Sequence, residues 1–137
     1  MNNTLILWPV LVQIALTLFI LLIIAKRKIT AIKAGEVDQK KTALHNSAWT
    51  DEVLKASNNF GNQFQTPVLF YALSIIFYMT NNVSLAVLIL SWIYTISRLV
   101  HSYVHILSNY VPIRFKVFTL GVVCLMALTA ILAIRLF

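Results

Sequence analysis

Four long apolar runs dominate this chain, at about residues 4–28, 59–79, 83–108 and 113–136. A helix needs ~20 mostly apolar residues to cross the hydrocarbon core of a bilayer. No water at that depth can satisfy exposed peptide groups, so runs of this length are expected as helices. The fold class expected is all-α, an integral membrane four-helix bundle forming a single domain over 1–137. Composition agrees, with 60% hydrophobic and 11% charged residues, where a soluble domain is nearer half apolar and a quarter charged. The first run has no basic segment ahead of it and is long for a signal peptide, so it is expected to be a retained anchor.

The net charge of +7 would suggest nucleic acid in a soluble chain. In a membrane chain basic residues mark orientation instead, and no nucleic-acid partner is expected. Lys26, Arg27, Lys28, Lys33, Lys40, Lys41 and Lys55 precede or occupy the polar stretch 29–58, and Arg114 and Lys116 follow the short turn 109–113. Asn81-Asn82 has no basic residue beside it. Loops 29–58 and 109–113 are therefore expected on the cytoplasmic side, with both termini outside. Cys124 is the only cysteine, which excludes an intrachain disulfide and is expected to be plain packing.

Polar residues inside the apolar runs point to function, because an ionisable group at membrane depth costs at least ~2.5 kcal/mol. The third run carries Ser91, Tyr94, Arg98, His101, Ser102, His105 and Asn109. At about 100° per residue they fall on one stripe. The second opens with Asn58, Asn59, Asn62, Gln65 and Thr66 on a shared face, with Gln63 off it. Arg114 starts the fourth run at the same side of the membrane. All four acids, Glu36, Asp38, Asp51 and Glu52, lie outside the runs, so Arg98 and Arg114 have no carboxylate at their own depth. Such a cluster favours an anionic ligand held by charge-assisted hydrogen bonds. The alternative is that Arg98 reaches to lipid phosphates and the histidines to backbone carbonyls.

His101 and His105 have the i, i+4 spacing of a zinc pair. Two further ligands are not in evidence and an Arg sits close by, so no metal is expected. A Ser-His-Asp arrangement lacks its acid.

Three segments together resemble a known family. Asn62-Gln63-Phe64-Gln65-Thr66-Pro67 resembles an Asn-x-x-Glu followed closely by Pro. Arg98-Leu99-Val100-His101 with His105 resembles Arg-x-x-His-x-x-x-Tyr, and Pro112-Ile113-Arg114 resembles Pro-x-Arg at the start of a fourth helix. In order and helix position these resemble the membrane-associated proteins in eicosanoid and glutathione metabolism (MAPEG), in a bacterial-type member, over nearly the whole chain. The family includes microsomal glutathione transferases, leukotriene-C synthases and microsomal prostaglandin E synthase.

The resemblance implies a homotrimer with sites between neighbouring subunits near the cytoplasmic face of a bacterial inner membrane. It implies glutathione as ligand, membrane lipids as surroundings and a lipophilic small molecule as second substrate. If the chain is active, a glutathione transferase or peroxidase type of activity is expected. Carried over by position, Asn62, Arg98, His101, His105 and Arg114 hold the ligand, and Arg114 stabilises the thiolate. Gln65 joins the binding set at the place of the family's Glu. The chain departs from the family there, at Asn58 where an Arg is common, and at His105 where a Tyr is usual. Phe115 and Phe118 stand where the prostaglandin synthase has Ser and Tyr. The resemblance also leaves room for a non-catalytic protein that binds a lipid or other amphipathic anion.

Overall fold

The structure is a computed structural model that describes residues 2–136. After a short 3-10 turn at Asn3–Ile6, the helices are α1 (Leu7–Lys33), α2 (Gln39–Thr42), α3 (Asp51–Asn62), α4 (Thr66–Met79), α5 (Leu85–Ile106) and α6 (Val111–Leu136). Among the described residues there is no strand. Three segments, Asn3–Lys33, Leu85–Ile106 and Val111–Leu136, are long and apolar enough to cross a membrane.

Two boundaries differ from the sequence expectation. The first helix does not stop near 28 but continues to Lys33, where a Schellman ending closes it. Gly35 takes φ +69°, its N–H reaches the Ile32 carbonyl, and the Glu36 N–H reaches that of Ala31. Glycine adopts this left-handed conformation without a Cβ clash. The second run is two helices rather than one, and the first of them starts at Asp51, inside the stretch expected as loop. Pro67 explains the break. It has no N–H to return to the Gln63 carbonyl, and its ring crowds that position. The chain accordingly breaks over 63–65, with Gln65 at φ −99°, ψ −101°. Alone, the 14 residues of α4 extend only ~21 Å, short of a ~30 Å hydrocarbon core.

The Asn81-Asn82 turn forms as expected. Asn81 takes φ 55°, and its side chain accepts from Asn3 Nδ2 at 2.7 Å. The start of α1 and the α4–α5 turn therefore share one end of the molecule. At the other end Arg27 of α1 donates to the Ile106 carbonyl of α5 at 3.0 Å and contacts Glu52 of α3 at 3.2 Å. Both basic segments of the sequence thus lie at the same end.

Packing is closest between α5 and α6. A Cβ built on Gly121 of α6 would lie 2.9 Å from the Ser97 hydroxyl oxygen, which is itself committed to the Tyr94 carbonyl at 2.6 Å. Gly121→Ala is expected to cost ~1–3 kcal/mol of stability by overpacking. Thermal unfolding in detergent would show it, and adding Ser97→Ala, which removes the clashing hydroxyl oxygen and keeps a helix-forming residue, should recover most of the loss. Lys55 donates to Glu52 at 2.7 Å. That hydrogen bond, followed by the charges of Lys55 and Arg27, holds the exposed Glu52 carboxyl below its ordinary value of 4.5. A depressed carboxyl contributes stability above the unfolded value that is lost as pH falls through the folded one. The loss should stay under ~1 kcal/mol because water screens the pair, and a Glu52→Gln chain should lack it in acid unfolding.

Candidate anion site between α3 and α6

α3 presents two polar faces, Asn58 and Asn62 on one and Asn59, continued by Gln63, on the other. Asn58, Asn62 and Gln65 line a groove toward α6, together with His101, His105, Asn109, Arg114, Phe115 and Phe118. Its two adjacent lobes hold about 260 and 380 Å³ and share Asn62, Gln65 and Arg114 in their walls. Five of the sequence-predicted binding residues, Asn62, Gln65, His101, His105 and Arg114, therefore meet in one place.

The sixth, Arg98, stands behind them. Its side chain is 1% exposed and donates through Nη2 to the Asn62 carbonyl at 3.1 Å, a group that the helix break leaves free. Nε and Nη1 have no partner. The guanidinium carbon lies 5.8 Å from the centre of the Phe118 ring, within range of a cation–π contact. Arg114 bonds the Asn109 side chain through Nη1 and leaves Nε unpartnered. Asn109 can accept there because its φ of 53° turns the chain tightly ahead of α6. His101 and His105 stack edge to face at 5.7 Å, each with a buried Nδ1 that makes no hydrogen bond.

Among the described residues no carboxylate reaches either arginine. The ion pairs present join Glu52 to Arg27 and Lys55. Buried donors without partners are costly in a low-dielectric site. Unpartnered nitrogens on Arg114, His101 and His105, which line the groove, and on Arg98, which lies behind it, make a candidate cradle for an anion.

The expected polar stripe of α5 is buried, but it serves two neighbours. His101 and His105 face the groove. Ser102 instead donates to Asn59 Oδ1 at 3.2 Å and accepts from Gln63 Nε2 at 3.1 Å. Asn59 belongs to this second cluster and not to the binding face where the sequence placed it. Gln63, set aside in the sequence, is its hub: its Oε1 accepts from Gln13 of α1 at 2.8 Å. Gln13 is a lone polar residue in the first apolar run, and that isolation is the one signal of its role in the sequence.

Neither the curated proteins nor the solved structures yielded a match to the chain. The sequence model of the MAPEG family matches residues 5–134, a stretch that holds every side chain of the groove and of the cluster behind it, and the chain belongs to the MAPEG family.

Proposed function

We propose that this chain binds glutathione, or a similar anionic thiol, in the α3–α6 groove. The observation that carries the reading is Arg98, a buried guanidinium with two unpartnered nitrogens behind the groove that Arg114 lines, with no acid in reach. Glutathione brings carboxylates for such donors and a thiol for chemistry. Asn62, His101 and His105 orient the peptide, with Gln65 beside them as a neutral partner. Arg114 opens on both lobes of the groove, where its charge favours the thiolate over the thiol.

The assembly we propose is a homotrimer built from membrane-spanning four-helix subunits. A polar groove open along a helix surface is unfavourable against lipid, and a neighbouring subunit would close it. By the positive-inside bias, the connections 34–50 and 107–110 lie on the cytoplasmic side of a bacterial inner membrane, with both termini outside. The second substrate would be a lipophilic electrophile entering from the bilayer. An apolar groove of about 460 Å³ between α4 and α6 starts at Thr66, next to Gln65, and supports that route.

The test is thiolate absorbance on adding glutathione to the detergent-solubilised protein. A thiolate band is expected at saturation, and Arg114→Ala should remove most of it. Absence of a band in the unsubstituted protein would refute thiolate chemistry here. A second reading has its own support: Phe115 and Phe118 line the groove and offer no hydroxyl to a thiolate. On that reading the site holds a lipid or other amphipathic anion without turnover, and purified protein would retain lipid that Arg98→Ala releases.

A further inference from the structure

A separate groove runs between α1 and α5. Leu16, Phe19 and Ile23 form one wall, and Leu99, Val100 and Tyr103 form much of the other. It encloses about 580 Å³ and is almost wholly apolar. At the end of the molecule that carries the basic segments it adjoins a crevice of about 540 Å³ with charged residues in its wall, sharing Ile23, Ile106 and Leu107 with it. The long apolar slot with charged residues at one end has the form of a site for an acyl chain and its headgroup.

The charges of the crevice select the headgroup. Lys26, Arg27, Glu36 and Glu52 line it. Arg27 and Glu52 are spent on each other, on Lys55 and on backbone carbonyls. Among the described residues Lys26 and Glu36 form no ion pair. The Schellman ending fixes Glu36 at the crevice by its N–H bond to Ala31. What remains, among the described residues, is one free cation and one free carboxylate at the mouth of an apolar slot.

We propose that this groove binds a zwitterionic phospholipid with a primary ammonium, a phosphatidylethanolamine. Lys26 takes the phosphate and Glu36 takes the ammonium, with the Thr30 hydroxyl also lining the crevice. A choline headgroup offers Glu36 no N–H donor. A glycerol headgroup satisfies Lys26 and leaves Glu36 unpaired beside a net negative charge. The site shares no lining residue with the α3–α6 groove, so its test is independent of the glutathione reading.

The experiment is native mass spectrometry of the solubilised protein with added phosphatidylethanolamine, phosphatidylcholine or phosphatidylglycerol of matched acyl chains. Retention of phosphatidylethanolamine is expected to exceed that of the other two by about three- to fivefold, the scale of one solvated ionic contact. Lys26→Gln should lower retention of phosphatidylethanolamine and phosphatidylglycerol together. Glu36→Gln should erase the preference over phosphatidylcholine alone. Val100→Trp, which fills the slot from an exposed position, should lower retention of all three. Equal retention of the lipids, a phosphatidylglycerol preference, or variants without effect would overturn the proposal. So would efficient cross-linking between Val100→Cys copies, which would assign the groove to a second copy of the chain.

Discussion

Arg98→Met should weaken glutathione binding by ~10- to 150-fold, the equivalent of the ~1.5–3 kcal/mol carried by one hydrogen bond to a charged group. Methionine keeps most of the volume of the buried side chain and removes its charge. The measurement is titration calorimetry on solubilised protein, with thermal unfolding of the same sample. Arg98 uses one nitrogen on the Asn62 carbonyl and leaves two without partners. A buried, half-satisfied charge is expensive to hold. The variant should therefore be no less stable than the parent even as it loses affinity.

The two readouts separate the roles. A guanidinium kept for structure would lower stability when replaced and leave affinity unchanged. A guanidinium kept for an anion does the reverse, because its desolvation is offset only when the ligand arrives. Unaltered glutathione affinity in Arg98→Met would remove Arg98 from the site. Lys at this position should restore little, since a point charge on a flexible stem reproduces neither the contact to Asn62 nor the fork of the guanidinium.

Much of this site could be read from spacing. The two arginines were legible as unpaired because every acid sits between Glu36 and Glu52, outside the apolar runs. His101 and His105 share a helix face by arithmetic alone, and the structure puts both in the groove. The second helix is less legible because its polar residues fit one stripe in the sequence. Asn58 and Asn62 are four apart and face α6, while Asn59 and Gln63 are four apart and face inward. Two adjacent faces merge when a stripe is drawn a third of a circumference wide. The break in that helix was legible in principle from Pro67. It was hidden because the polar residues Asn62, Gln63, Gln65 and Thr66 around Phe64 fit the opening of one long helix as well as they fit a break. Contacts between α1 and the rest were not legible, since Gln13 has no partner within its own helix face.

Gln63→Leu tests that inner cluster and should cost ~1–3 kcal/mol, the range for leaving buried amides unpaired. Gln63 accepts from Gln13 and donates toward the Asn59 side chain and carbonyl and the Ser102 hydroxyl. Its loss strands Gln13, whose Oε1 already lacks a partner. Asn59 and Ser102 still hold each other at 3.2 Å. Replacing Gln13 by Leu in the same chain removes the stranded amide as well. The double variant Gln13→Leu/Gln63→Leu should then be less destabilised than Gln63→Leu alone, a non-additivity that neighbouring buried groups show. Denaturant unfolding of the three chains in one detergent measures it. Simple addition of the two single effects would mean that Gln13 draws no stability from Gln63. The same substitution reaches the ligand groove through one peptide bond. Gln63 follows Asn62, whose carbonyl anchors Arg98, so glutathione affinity should fall in Gln63→Leu although its side chain lines neither lobe of the groove.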